Sequence, residues 1–179
     1  WQAEAIGDIA NAKLFGDKAI ETKKKAQGLR SQAAAAWLAA NKLSDAKAVW
    51  QRAAVMAEER AVMLANRVPS LLARWEAVRR AVPLPVEAHA ETTAGPAIST
   101  HEAEIAYLQA VFFTAQQWAV AADFYTRAEE LDKAAQARKQ LQSQLPLLSV
   151  DRLQILGNED VRLKDTAPQV QAWLASTSQ

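Results

Sequence analysis

Residues 37–53 read Trp37-Leu38-Ala39-Ala40-Asn41-Lys42-Leu43-Ser44-Asp45-Ala46-Lys47-Ala48-Val49-Trp50-Gln51-Arg52-Ala53. Trp37, Leu43, Ala46, Trp50 and Ala53 recur 75 positions later as Phe112, Trp118, Ala121, Tyr125 and Ala128. Large, large, small, large, small at these intervals suits a helical hairpin. Bulky side chains on the first helix and at the turn fill space above two alanines, which let the second helix approach closely. In both copies the turn is expected between the first two large residues, at Asn41-Lys42 and at Gln116-Gln117.

Outward from these two stretches, apolar residues keep helical spacing almost everywhere except residues 82–100, which hold Pro83, Pro85 and Pro96. Proline removes a backbone donor and disfavours helix in the residue before it. The chain is therefore expected to divide into an N-terminal helical region (1–81), a Pro-rich connection (82–100) and a C-terminal hairpin with capping helices (101–179). Ser99 followed by Glu102 is a capping-box pattern that opens a helix. Further breaks are expected at Gly28, Pro69, Pro146, Gly157 and Pro168. The predicted helices span about 3–26, 29–40, 44–67, 70–81, 100–114, 118–142, 149–156 and 168–176, and nothing reads as a strand.

The composition agrees with an all-α fold. Half of the 179 residues are hydrophobic, Gly and Pro number only 5 and 6, and alanine is abundant. Twenty-one Lys and Arg against 20 Asp and Glu leave a net charge of +1, which gives no drive toward nucleic acid. The absence of cysteine excludes disulfides, thiolate metal sites and a Cys nucleophile. Ile105–Ala122 runs 18 residues without a charge, but Gln109, Thr114, Gln116 and Gln117 near its middle argue against a membrane span. The sequence begins at Trp1 and not at Met, which suggests that an N-terminal segment has been removed.

Leu108, Phe112, Trp118, Ala121, Tyr125 and Ala128 resemble the tetratricopeptide repeat (TPR), a helix-turn-helix unit with large and small residues at these intervals, and Trp37 to Ala53 resembles it more weakly. Both copies depart from it, with Gln109 or Ala34 at the glycine of the first helix and Lys133 or Glu58 at the closing proline. The resemblance implies that the first helix of each unit lines a groove. Its positions would be Ala103, Ala106, Ala110, Phe113 and Thr114 in one unit and Ser31, Ala35, Leu38 and Ala39 in the other. None is the Lys, Asn or Arg with which some members grip acidic peptide termini, so an apolar segment is the implied partner. An equal alternative is that helices of the same chain cover this face. The Ala-rich stretch Ala12–Asn66 is also similar to small bacterial envelope lipoproteins, which implies periplasm or envelope in preference to cytoplasm.

Catalytic patterns are sparse. His89 and His101 lie in or beside the Pro-rich connection with no helical His pairing. Glu58-Glu59 and Glu129-Glu130 read as solvated faces, since sequence neighbours on a helix point about 100° apart. The six Trp residues read as core. The expectation is a non-enzymatic protein-interaction or assembly module of a larger bacterial complex, with no catalytic residue, metal or cofactor. The partner is a protein, held at Phe113, Thr114, Ala110, Ala106, Leu38 and Ala35. The alternatives are a self-associating structural envelope protein with the helix Ser44–Arg67 as its seam, and a small-ligand-binding helical domain.

Overall fold

The computed structural model describes residues 9–39, 42–80 and 99–177. They form α1 (Ile9–Ala39), α2 (Leu43–Ala65), α3 (Val68–Arg80), α4 (Thr100–Arg127), α5 (Leu131–Gln144), α6 (Val150–Glu159) and α7 (Thr166–Thr177), with 3₁₀ turns at Leu145–Leu147 and Val161–Leu163. No strand occurs among the described residues, so the fold is all-α with several helical hairpins. Among the described residues no helix is long and apolar enough to cross a membrane. Of the Pro-rich connection, residues 82–98 lie outside those described.

The two copies of the repeated pattern fold differently. In the first, α1 ends and α2 begins where expected: the Lys42 amide donates to the Trp37 carbonyl at 2.9 Å, a bond of the kind that closes a helix C-terminus. In the second, the turn expected at Gln116-Gln117 is absent and α4 runs through it to Arg127. Glutamine and alanine are good helix formers, and nothing between Thr114 and Ala122 gives the backbone a reason to leave the helix. The chain turns at Ala128–Glu130 instead. Glu129 and Glu130 donate to the Thr126 and Tyr125 carbonyls at 3.0 and 2.9 Å, and Glu129 adopts the left-handed conformation with φ 63°. Those are the two bonds of a Schellman ending, made with a residue that favours neither it nor a positive φ.

Gly28 does not break α1 either. One glycine in a helix interior costs about 1 kcal/mol, which its helix-favouring neighbours offset. The capping box at α4 does form: the Glu102 amide donates to Ser99 Oγ at 3.1 Å.

Residues cluster into two compact units, each drawn from both sides of the Pro-rich connection. The first takes the described part of Trp1–Val62 with Gln116–Leu141; the second takes the described part of Met63–Ala115 with Gln142–Gln179. Buried residues of the first are mostly alanines and aromatics: Ala46, Ala53, Ala54, Ala57, Ala61 and Ala121, with Trp50, Trp118, Phe124 and Tyr125. Those of the second are mostly branched aliphatics, among them Ile105, Val111, Leu153, Leu156, Leu163 and Val170. There Trp75 stacks on Tyr107 and Phe112 on Trp173, with centroids 5.4 and 5.5 Å apart.

Candidate functional site

In the first unit α2 buries Ala46, Trp50, Ala53, Ala57 and Ala61 on one face and exposes Ala48, Arg52, Val55, Glu59 and Val62 on the other. Val55 is 41% exposed and borders two depressions. One, between α1 and α2, is lined by Arg30, Gln51, Arg52, Val55, Met56 and Glu59. The other lies among α2, α4 and α5 and is lined by Glu58, Trp118, Tyr125 and Lys133 among others.

Both depressions carry charges of both signs, Arg30, Arg52 and Glu59 lining the first. In the second, the Tyr125 hydroxyl donates to Glu58 Oε2 at 2.6 Å. Burial and this bond both raise the Tyr125 pKa, so the phenol stays protonated and remains the donor. Beside it Lys133 pairs with Glu130 at 3.3 Å, and Glu130 also accepts from Gln51 Nε2 at 2.8 Å. Lys47 reaches Glu129 at 2.5 Å. These bonds fasten α2 to the turn between α4 and α5. Buried on α4, Gln117 has an Oε1 with no partner among the described residues.

On α1, Leu29 (58% exposed), Ala33, Ala36 and Trp37 (38% exposed) follow at intervals of four, three and one, and make one apolar, exposed face. Trp37, expected in the core, is thus a surface residue, with the Lys42 ammonium 5.0 Å from its ring centre. Trp50 and Trp118 are buried as the repeat requires, while Trp75 and Trp173 are partly exposed.

The expected groove residues divide between the units. Leu38 and Ala35 are exposed on α1 of the first; Phe113, Thr114, Ala110 and Ala106 belong to α4 in the second. Phe113 is 39% exposed and lies edge-on to the buried Phe112, with ring centres 5.6 Å apart. Ala106 is half-buried. Thr114 and Ala110 are core residues and not surface ones: both are buried, and the Thr114 hydroxyl donates to the Ala110 carbonyl at 2.7 Å. The face expected to be an open groove is therefore closed at these two positions. His101 is exposed, and His89 lies outside the described residues.

The second unit carries two arginine clamps of a structural kind. Arg152 on α6 holds the buried Glu104 carboxylate through two nitrogens, the Nε bond at 2.7 Å. Arg162 grips Glu102 through two bonds of 2.6 Å and also binds Asp160. Bonds from Arg162 hold the Asp160 carboxyl down at about 2 and lower that of Glu102. Ion-pair partners so far apart in sequence were not legible beforehand.

No family model, curated protein or solved structure matches this chain.

Proposed function

We propose that the chain is a non-enzymatic protein-interaction module that presents an apolar helical surface to a protein partner within a larger bacterial assembly, its individual hairpins being of TPR-like kind. The observation that carries this reading is the exposed face of α1, where Leu29, Ala33, Ala36 and Trp37 form a stripe at helical spacing. Single exposed apolar residues are ordinary on a protein surface, but a stripe along one helix supplies the anchors that a partner helix or strand requires. Truncating an exposed aromatic or large aliphatic anchor commonly lowers affinity tenfold or more.

The test is copurification of the full chain from its host, comparing unchanged protein with Leu29→Asp and Phe113→Ala. Leu29→Asp is expected to reduce recovery of the partner more than about tenfold with an unchanged melting temperature, because its side chain is largely outside the fold. Phe113→Ala tests the second exposed anchor, on α4. Partner recovery unaffected by either substitution overturns the reading.

A further inference from the structure

Arg30 on α1 and Arg52 on α2 line the depression between those helices, about 500 Å³ in volume, together with Val55 and the half-buried Met56. Arg30 is itself half-buried, and among the described residues neither arginine has an acidic partner. Glu59, the acid that also lines the depression, already has an interaction within the chain. A guanidinium drawn part-way out of water is destabilising until a counter-charge replaces its hydration, and its flat fork of donors fits a carboxylate. In the second unit Arg152 and Arg162 find that partner within the chain, in Glu104 and Glu102. Arg30 and Arg52 do not find one among the described residues.

The same edge of the hairpin carries a second cation. Trp37 follows Arg30 by seven residues, so it stands about 10 Å along α1 and within about 20° of Arg30 around the helix. The Lys42 ammonium lies 5.0 Å from the Trp37 ring centre. Between these stations Ala33 is exposed, and residues 22–42 hold Lys23, Lys24, Lys25, Arg30 and Lys42 with no Asp or Glu. Resting on the reading of α1 as an interaction surface, we propose that the partner's docking segment is acidic as well as apolar, its carboxylates entering the depression at Arg30 and Arg52 while an apolar side chain covers Trp37. Positive potential along α1 favours such a segment and rejects a basic one. A free anion would satisfy the arginines but leave Trp37 and Leu29 uncovered. A lipid surface fits less well, because α1 offers it only two large apolar side chains there and the arginines line a hollow between two helices.

The test is selection of random displayed peptides of about a dozen residues on the immobilised full chain, followed by anisotropy titration of those selected. Selected peptides are expected to be enriched at least about twofold in Asp and Glu, beside aromatic or large aliphatic residues. Arg30→Gln/Arg52→Gln is expected to weaken them at least about tenfold with an unchanged melting temperature, since neither guanidinium has an acidic partner to lose among the described residues. Replacing the peptide's acids by their amides should give the same loss, and the two changes together should add little, as a direct pairing requires. Selection without acidic enrichment, or no selected peptide, overturns the proposal. If Leu29→Asp weakens the peptides and the double arginine variant does not, this inference fails and the apolar reading of α1 stands; peptides indifferent to both variants overturn both. Vesicles of phosphatidylglycerol are expected not to sediment with the chain, and arginine-dependent binding to them would assign the depression to a lipid surface and overturn the proposal.

Discussion

Fully buried positions in the first unit include Ala34, Ala46, Ala53, Ala54, Ala57, Ala61, Ala121 and Ala134, whereas those in the second include Ile105, Val111, Leu153 and Val170. These alanines bring helix backbones close and leave little side chain to remove, the large buried side chains of the first unit being Trp50, Trp118, Phe124 and Tyr125, whereas the aliphatic positions of the second are a filled volume that can be emptied. At these fully buried positions the two units should therefore fail under opposite substitutions, the first when an alanine is enlarged and the second when an aliphatic residue is truncated.

The largest effect is expected at Leu153, which is fully buried. Leu153→Ala should cost about 2–5 kcal/mol through lost transfer energy and the cavity left behind, read as a shift in the urea midpoint. A loss under 1 kcal/mol would mean that the second unit collapses readily around the gap, and the contrast would fail there. Next comes Ala121→Leu, expected to cost about 1–3 kcal/mol by overpacking. Stability unchanged by it would show that the first unit has slack its buried alanines do not reveal.

Two glycines sharpen the comparison further. A Cβ on Gly157, in the second unit, would stand 2.8 Å from the Leu163 carbonyl oxygen, so Gly157→Ala forces α6 away from the following turn and should cost about 1–2 kcal/mol. A Cβ on Gly28, in the first, meets nothing within 4 Å, so Gly28→Ala should stabilise by about 0.5–1 kcal/mol. Paired thermal melts check both signs.

The smallest effect concerns acid. Asp160 and Glu102 have folded-state pKa values below their unfolded ones, so their contribution is fully present above the unfolded values and disappears as pH falls toward about 2. Both are exposed enough that the change is slight. Asp160→Asn is expected to flatten the fall in melting temperature between about pH 4 and pH 2, and an unaltered slope would show that the Asp160–Arg162 bonds add nothing to stability.

The all-α class was legible because alanine content, helical spacing and the scarcity of glycine agree. The first hairpin was legible because Asn41-Lys42 interrupts a strong helical pattern. The turn at Glu129 was not, since glutamate in a left-handed conformation carries no sequence signal, while Gln116-Gln117 borrowed one from the repeat. Trp37 and Phe112 hold equivalent places in the repeated pattern, yet one is exposed and the other buried. Periodicity assigns a face to a residue; what covers that face depends on segments far away in sequence. Thr114 and Ala110 are buried where an exposed face was expected for the same reason, while Phe113 and Leu38 are exposed.

Each unit needs segments from both sides of residues 82–100, and this bears on the order in which the chain is made. The α1–α2 hairpin leaves the ribosome well before Gln116–Leu141, a delay of roughly 3–10 s at about 5–20 residues per second. During that wait its inner face is uncovered. Because that face is built largely from alanine, the nascent chain shows small methyl groups where a leucine interior would show adhesive surface. The leucine-rich segments Leu145–Leu148 and Leu153–Leu163 come last, when the helices of the second unit that precede them in sequence have already been synthesised.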